Sequence, residues 1–318
     1  MERMNRRAIG ILSTLVGASL WGVSGTCSQF LLANYAISSL FVTMVRSIGA
    51  AILFLAVILV KHRAAIGEIF REARARRQMI AFGVIGLFAS QITYIVAIGY
   101  TNAGTATVLQ STSIVMIMLV ACICDRRRPN ILELIGLVLA LAGTLLIATQ
   151  GDLSSLNLPF AGLVWGLASA IGAACYSLLP RPLYPRWGSF TVIGIGMAIG
   201  AAASTAFWGI AFAVPEIDAL CNGGNAIGSA LLPALDMPAV AALAVIAVVG
   251  TFGAYFLYLN GIAMIGPIRG SQLGAIEPVS ATVCSAIFMA TAFTWADWIG
   301  LLLMVATIVI VAAAGKRR

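Results

Sequence analysis

Long runs of apolar residues alternate with short polar segments over the whole chain. A helix needs roughly 20 apolar residues to cross the hydrocarbon core of a bilayer, which is about 30 Å thick. The runs lack the dyad alternation that is typical of a membrane β-barrel. The pattern therefore predicts an all-α integral membrane protein with ten transmembrane helices, at residues 9–32, 38–60, 79–99, 104–124, 131–149, 160–179, 189–213, 239–261, 267–292 and 296–314.

The composition also indicates that the chain is embedded in lipid. Of 318 residues, 61% are hydrophobic and only 9% are charged, whereas soluble domains carry about 25% charged residues. The net charge of +8 does not indicate a nucleic-acid partner, because the basic residues lie in short clusters between apolar runs. The first run exceeds the roughly 7–15 apolar residues of a signal peptide, so we expect a retained helix.

The distribution of charge predicts the orientation. If the N-terminus is cytoplasmic, every Lys and Arg except Arg46 falls on the cytoplasmic side. The charged residues in the loops of the opposite side are then all acidic, namely Asp152, Glu216, Asp218, Asp236 and Asp297. Because basic loops stay in the cytoplasm, we expect a multi-pass protein of the bacterial inner (plasma) membrane, with both termini inside.

The two halves of the chain resemble each other. A shift of 164 residues aligns Tyr100–Ala148 with Met264–Ala312 without a gap, and a shift of 150 superposes Ala18-Ser19 on Ala168-Ser169. Five spans per half is an odd number, so the second half is predicted to be inverted in the membrane. The domains are then repeats at 1–150 and 151–318, an arrangement typical of secondary transporters.

Several motifs occur in a characteristic order along the chain. They are Leu20-Trp21-Gly22, Arg46, Tyr100-Thr101-Asn102-Ala103, Gly274-Ala275-Ile276-Glu277-Pro278 and Asp297-Trp298-Ile299-Gly300. Together they resemble the EamA-type ten-helix branch of the drug/metabolite transporter superfamily, over nearly the whole chain. One departure is Ile114, beside Ser113, where the family usually has a proline.

The resemblance implies a helix bundle with a central cavity formed by spans one, three, four, six, eight and nine. It also implies export or exchange of amino acids, amines or related metabolites, with a proton as the candidate coupling ion.

Two ionisable residues fall deep in apolar spans, where a charge normally has a partner or a function. Glu277 is interpreted either as a proton-coupling or cation-binding carboxylate, or as a partner of backbone groups that Pro278 disturbs. Arg46 is interpreted as an anchor for a substrate carboxylate, as a counter-ion of Glu277, or as a packing residue bonded to carbonyls outside the cavity.

Polar and aromatic residues recur at helical spacing in the spans that the resemblance assigns to the cavity. Burial of a primary amide in lipid is costly, and an indole away from the interface suggests a cavity wall. The further candidates for substrate binding or coupling are Trp21, Gln91, Tyr94, Gln110, Tyr176, Tyr258 and Gln272.

The sequence predicts no enzyme, cofactor or metal site. Cys122-x-Cys124 lacks a second Cys or His pair to complete a zinc site, and no ATP-binding loop is present.

The leading hypothesis is a secondary transporter, with a small-molecule substrate and the bilayer as partners. A passive facilitator or channel, and a membrane enzyme or non-transporting scaffold, are the alternatives. Small residues of spans five and ten could pack within one chain or in a homodimer.

Overall fold

A computed structural model describes residues 2–35, 37–101, 103–155, 159–222, 235–289 and 294–313. Within these ranges every regular element is a helix, which confirms the predicted all-α class. The α-helices are α1 (Glu2–Tyr35), α2 (Ser39–Lys61), α3 (Arg63–Arg71), α4 (Ala73–Ala81), α5 (Ala89–Tyr100), α6 (Ala103–Ser111), α7 (Ser113–Cys124), α8 (Ile131–Thr149), α9 (Phe160–Leu178), α10 (Tyr184–Trp187), α11 (Ser189–Ala213), α12 (Pro215–Cys221), α13 (Met237–Ala247), α14 (Ala254–Ile265), α15 (Pro267–Gly274), α16 (Glu277–Met289) and α17 (Trp295–Ala313).

Eight helical stretches of the described residues are long and apolar enough to cross a membrane, and they match the first eight predicted spans. The segment predicted as span nine instead forms two shorter helices, α15 and α16, with a break at Ala275–Ile276. Span ten contains a shorter apolar helix, Trp295–Val311. Residues 290–292 and 314 of these two predicted spans lie outside the described residues, so a total of ten crossings stays a prediction.

The outside of the bundle is apolar. Val60 and Phe160 are each 81% exposed, and many other large apolar side chains of the long helices are exposed as well. Soluble monomers seldom expose contiguous apolar surface of this kind, whereas lipid tails match it. The exposed surface therefore agrees with the prediction of a membrane protein.

The long helices pack in pairs that join the two halves of the chain. The helix α1 packs against α14 and α16, α5 packs against α9, and α2 packs against α11. The helices of spans five and ten, α8 and α17, also contact each other within the chain. There, Gly143 and Gly300 bring the two backbones close, because a Cβ on Gly300 would lie 3.2 Å from the Gly143 carbonyl oxygen. Small residues permit such close helix packing in membranes.

Gly17 is a point of close approach between α1 and α14. A Cβ added there would lie 2.5 Å from the backbone nitrogen of Tyr258 and 2.8 Å from the carbonyl oxygen of Ala254. Both neighbours are backbone atoms of a helix, which cannot move aside as a flexible side chain would. Gly17 therefore sets the distance between α1 and α14.

We expect Gly17→Val to separate α1 from α14 and to lower the free energy of unfolding by about 1–3 kcal/mol or more, the usual cost of overpacking. Thermal unfolding of the purified protein in detergent measures this change. The control is Gly67→Ala, because a Cβ on Gly67 meets no atom within 4 Å. Equal melting temperatures for Gly17→Val and the wild type would contradict the proposed close contact.

Four helical stretches are interrupted at matching places. A π-helical turn, Phe82–Phe88, joins α4 to α5, and a second, Val248–Gly253, joins α13 to α14. The break between α6 and α7 falls at Thr112, and the break between α15 and α16 falls at Ala275–Ile276. Each second-half interruption lies close to 164 residues after its counterpart. Such turns and breaks leave backbone groups without regular helical partners, and they are frequent at functional sites.

The start of α8 is fixed by a capping box. Asn130 accepts from the backbone N–H of Leu132, and Glu133 accepts from the backbone N–H of Asn130 at 2.9 Å. Arg127 donates to both carboxylate oxygens of Glu133, at 2.8 and 3.0 Å. These hydrogen bonds raise the pKa of Arg127 above its ordinary value. The contact ties the basic 126–128 loop to the end of the bundle where α1 begins.

Candidate functional site

Two cavities lie inside the bundle, one above the other along the helix axes. The first is lined by Ser24, Gly25 and Ser28 of α1 and by residues of α2, α5 and α14. The second is lined by residues of α6, α7, α15 and α16. We call them the distal and the proximal cavity, according to their distance from the N-terminal end of α1.

Four side chains belong to both cavities and form a layer between them. They are Trp21 of α1, Gln110 of α6, Tyr176 of α9 and Glu277 of α16. We call this layer the partition. The helix registers place it near mid-depth, because Trp21 lies near the middle of the Arg6–Tyr35 stretch. Each side chain of the partition lines both cavities, so these residues lie where the two cavities meet.

Glu277 occupies the partition because the chain is broken just before it. The helix α15 ends at Gly274 and α16 begins at Glu277, with Pro278 in its first turn. Proline is tolerated there because the first N–H groups of a helix have no intrahelical acceptor, and a carboxylate near a helix N-terminus is favoured by the helix dipole. The carboxylate accepts a hydrogen bond from the Tyr94 hydroxyl at 3.3 Å. Tyr94 in turn is hydrogen-bonded to the Thr107 hydroxyl, at 2.9 Å.

Arg46 lines the distal cavity, the same cavity that Glu277 lines. Its side chain is 5% exposed, and its Nε donates to the Thr251 hydroxyl at 2.9 Å. Its Nη2 donates to the Gly250 carbonyl oxygen at 3.4 Å. Both partners belong to the π-helical turn Val248–Gly253. The residue therefore bonds a neighbouring carbonyl oxygen and also lines the cavity.

Aromatic rings surround the partition. The Trp21 ring centroid lies 5.0 Å from that of Tyr255 and 4.6 Å from that of Tyr258. Tyr176 lies 5.6 Å from Tyr255 in an edge-to-face arrangement and 6.0 Å from Trp21. Such pairs are favoured by the ring quadrupoles, by about 0.5–1.5 kcal/mol each beyond burial. The cluster provides a rigid apolar wall beside the Glu277 carboxylate.

Two buried polar atoms of the distal cavity lack hydrogen-bond partners among the described residues. They are the Gln91 Oε1 and the Ser24 Oγ. The Gln91 amide nitrogen has only a long contact with the Met197 sulfur, at 3.9 Å. A buried polar group without a partner costs about 1–3 kcal/mol, so both atoms are places where a bound molecule would gain hydrogen bonds.

The structure brings eight of the nine predicted residues to the cavities. Trp21, Arg46, Gln91, Tyr94, Gln110, Tyr176 and Glu277 line the distal cavity, and Tyr258 lines the proximal one. Gln272 differs, because its amide donates to the Glu133 carbonyl oxygen at 2.5 Å and packs on Gly136. This contact connects α15 with α8, so a buried amide was not by itself sufficient evidence for a cavity position.

The lining also contains residues that belong to the same polar and aromatic pattern but were not among the nine candidates. Ser24 and Ser28 lie three and seven residues after Trp21, on one face of α1, and Tyr255 lies one turn before Tyr258. Their helical spacing relative to Trp21 and Tyr258 was the signal in the sequence that could have identified them. The lining helices are those of spans one, three, four, six, eight and nine, as the resemblance implied, together with α2 through Arg46.

Comparison with known proteins gives the family. The model of the EamA-like transporter family matches twice, over residues 8–149 and 160–313. The uncharacterized inner membrane transporter YicL of Salmonella typhimurium is 33% identical over 312 residues, which cover 97% of each chain. The uncharacterized transporter YwfM of Bacillus subtilis is 23% identical, over 96% of this chain and 95% of that protein.

A solved crystal structure has a similar fold, with a TM-score of 0.72 and 18% identity, covering 99% of this chain and all of the other. Apolar helices, an internal cavity and the two family matches agree with one another. The chain is therefore a multi-pass membrane transporter that belongs to the EamA-like transporter family.

Proposed function

We propose that the protein is a secondary transporter that exports small metabolites, such as amino acids or amines, across the bacterial inner membrane. The observation that carries this proposal is the position of Glu277. A single carboxylate lies in the partition, between a cavity on one side of mid-depth and a cavity on the other. Alternating access requires that a binding or coupling residue can be reached from each side of the membrane in turn.

The alternating unit in this proposal is an inverted five-helix repeat, residues 1–150 and 151–318. Three observations support it. The family matches the chain twice, and the helix interruptions recur near the 164-residue shift. The packing pairs are also related by that exchange, because α1 packs on α14 as α9 packs on α5. Rocking of one half against the other would open the distal and the proximal cavity in turn.

In the proposed orientation both termini are cytoplasmic and the proximal cavity faces the cytoplasm. We expect a fluorescent protein fused after Arg318 to fluoresce in cells, and alkaline phosphatase fused at the same place to be inactive. Fusions in the acidic 215–236 segment should give the reverse pattern. An active phosphatase after Arg318 would show that the second half is oriented otherwise.

Glu277 is the proposed proton-coupling residue. The titratable groups that interact with it electrostatically are Arg46, Tyr94, Tyr176, Tyr255 and Tyr258. Arg46 is the one cation of this set, and the described ion pairs do not join it to Glu277. An unpaired carboxylate in an apolar interior is expensive as an anion. When no substrate is bound, protonation of the Glu277 carboxylate removes that cost. Proton binding and substrate binding are therefore coupled.

The test begins with the purified protein and a panel of amino acids, amines and nucleobases, ranked by the rise in melting temperature. Radiolabelled forms of the compounds that stabilise the protein are then used to measure uptake into proteoliposomes, with and without a pH gradient. We expect saturable uptake that the gradient accelerates and drives uphill. Equal rates with and without the gradient would remove proton coupling, and flux without uphill accumulation would indicate a facilitator. Binding without any flux would contradict transport.

A further inference from the structure

The short connection between α2 and α4 lies at the surface of the membrane. The helix α2 ends at Lys61, and the next stretch that is long and apolar enough to cross a membrane begins at Ala73. Only α3 and one residue on each side of it lie between these two stretches. Because the hydrocarbon core ends where the crossing helices end, α3 lies at the depth of the lipid head groups.

The helix α3 has a buried side and an exposed side. Ile69 is fully buried, and Ile66 packs against the same core cluster. On the exposed side, Arg63, Gly67 and Arg71 follow one another at intervals of four residues. A Cβ added to Gly67 would meet no atom within 4 Å, so the surface between the two arginines is open. A basic amphipathic helix of this kind is typical of helices that lie in the plane of the membrane surface.

The acidic side chains of this connection bind the second half of the chain. The Glu68 carboxylate accepts a hydrogen bond from the Trp187 indole N–H at 3.1 Å, and Glu72 forms an ion pair with Arg186. Both partners belong to the short helix α10. The two carboxylates that are nearest in sequence to the arginines of α3 are therefore engaged by α10.

Most of the basic side chains of this segment have no anionic partner. Within the described residues, five exposed cations form no ion pair or hydrogen bond through their side chains, namely Lys61, Arg63, Arg71, Arg74 and Arg77. Arg76 donates to the carbonyl oxygen of Phe70, at 3.0 Å. We call the five cations the basic surface. Clusters of about 4–8 Lys and Arg residues beside a membrane-crossing helix are typical binding sites for anionic lipid head groups.

Apolar side chains that face the lipid adjoin the basic surface. Leu59 and Val60, in the last turn of α2, are both exposed, and Phe70 of α3 is exposed next to Arg71. A soluble anion can contact only the cations. A phospholipid can contact both surfaces, because its head group is charged and its acyl chains are apolar. The pattern therefore indicates a lipid as the occupant.

We propose that the basic surface binds the head group of an anionic phospholipid. The lipid phosphate lies at Arg63 and Arg71, on either side of Gly67, and the acyl chains lie along Val60 at the end of α2. Arginine suits this role, because the guanidinium group binds phosphate oxygens in a bidentate geometry. The bound lipid stabilises α3 and, through the carboxylates of α3 and its flank, the contact with α10. The proposal does not depend on the transported substrate or on the coupling ion.

The experiment measures the melting temperature of the purified full-length protein in detergent as a probe is added. The probes are dioleoylphosphatidylglycerol, which is anionic, dioleoylphosphatidylcholine, which has the same chains and no net charge, and glycerol 3-phosphate, a soluble anion. We expect only phosphatidylglycerol to raise the melting temperature in a saturable manner, and about 0.5 M NaCl to reduce the rise. An equal rise with phosphatidylcholine or with glycerol 3-phosphate, or no rise with any probe, would overturn the assignment.

A double variant locates the site. In Arg63→Gln with Arg71→Gln, the amount of phosphatidylglycerol that gives half of the maximal rise should increase by about tenfold or more, since each basic residue near the membrane surface contributes to the attraction. Arg63→Lys with Arg71→Lys keeps both charges and should bind more tightly than the glutamine variant. Melting temperatures without lipid verify folding, and a variant that does not fold is replaced by Arg74→Gln with Arg77→Gln, which should also weaken the binding.

The matched control removes two positive charges from another basic segment. Arg126→Gln with Arg128→Gln changes two exposed residues of the loop between α7 and α8. This variant should bind phosphatidylglycerol within about twofold of the wild type. An equal loss of binding in the control and in Arg63→Gln with Arg71→Gln would mean that only the total charge matters, and it would overturn the proposed site.

Discussion

Replacement of Glu277 by glutamine is expected to abolish proton-driven transport. The change keeps the size of the side chain and its capacity to accept from Tyr94, but it removes the only carboxylate that lines both cavities. We expect gradient-driven flux in proteoliposomes to fall by about 100-fold, the lower range for loss of a proton-transfer group. The variant should fold, because an amide avoids the cost of burying an unpaired charge.

The matched control is Asp152→Asn. Asp152 is exposed in the loop after α8 and is bonded to Ser154, far in sequence from the cavity-lining residues. It should transport as the wild type does, so a loss in both variants would indicate a general effect of removing acidic charge. Full gradient-driven flux in Glu277→Gln would remove this residue from the coupling mechanism.

Replacement of Trp21 by alanine should have the second largest effect. The indole contacts three tyrosines and lies in the partition. Its removal joins the distal and proximal cavities and leaves the ligand without its apolar wall. We expect KM to rise by about tenfold or more, because truncation of an aromatic anchor in a binding site typically costs about 2 kcal/mol or more. The free energy of unfolding should fall by a smaller amount, since Trp21 is only half-buried.

Trp21→Phe is the control, because a smaller ring still fills most of the partition. KM for that variant should lie between the values for the wild type and Trp21→Ala. Concentration-dependent uptake with the strongest ligand of the panel measures all three. An unchanged KM in Trp21→Ala would mean that the substrate does not contact this wall.

The hydrophobic pattern was sufficient to predict the helices of the first eight spans, since only helices and closed β-barrels span a membrane and the runs lack the alternation of a barrel. It did not predict the interruption of span nine, for a local reason. The apolar composition of residues 267–292 is continuous, but Pro278 and the turn at Ala275–Ile276 divide the segment into α15 and α16. A helix break of this kind is set by a few backbone dihedral angles, which average hydropathy does not describe.

The candidate site was predictable where an unusual residue marked it. Glu277 and Arg46 were identified because charges in apolar spans are rare, and the structure brings both to one cavity. Gln272 was selected because burial of a primary amide is costly, yet it bonds the Glu133 carbonyl oxygen. The direction in which a helical side chain points depends on neighbouring helices, and that information is absent from the local sequence. The bond from Arg46 to Thr251 likewise depends on a π-helical turn that no sequence pattern indicated.

The central claim is that one pathway through the partition is reached from both faces of the membrane. Gln110 tests it most directly, because this residue lines the distal and the proximal cavity. In a variant without the six native cysteines, Gln110→Cys is exposed to a membrane-impermeant maleimide in right-side-out and in inverted vesicles. Ser28→Cys and Ser113→Cys, which line one cavity each, serve as references for the two faces. We predict that Gln110→Cys reacts from both faces while each reference reacts from one face only. Reaction of Gln110→Cys from a single face, or from neither, would contradict alternating access through this cavity.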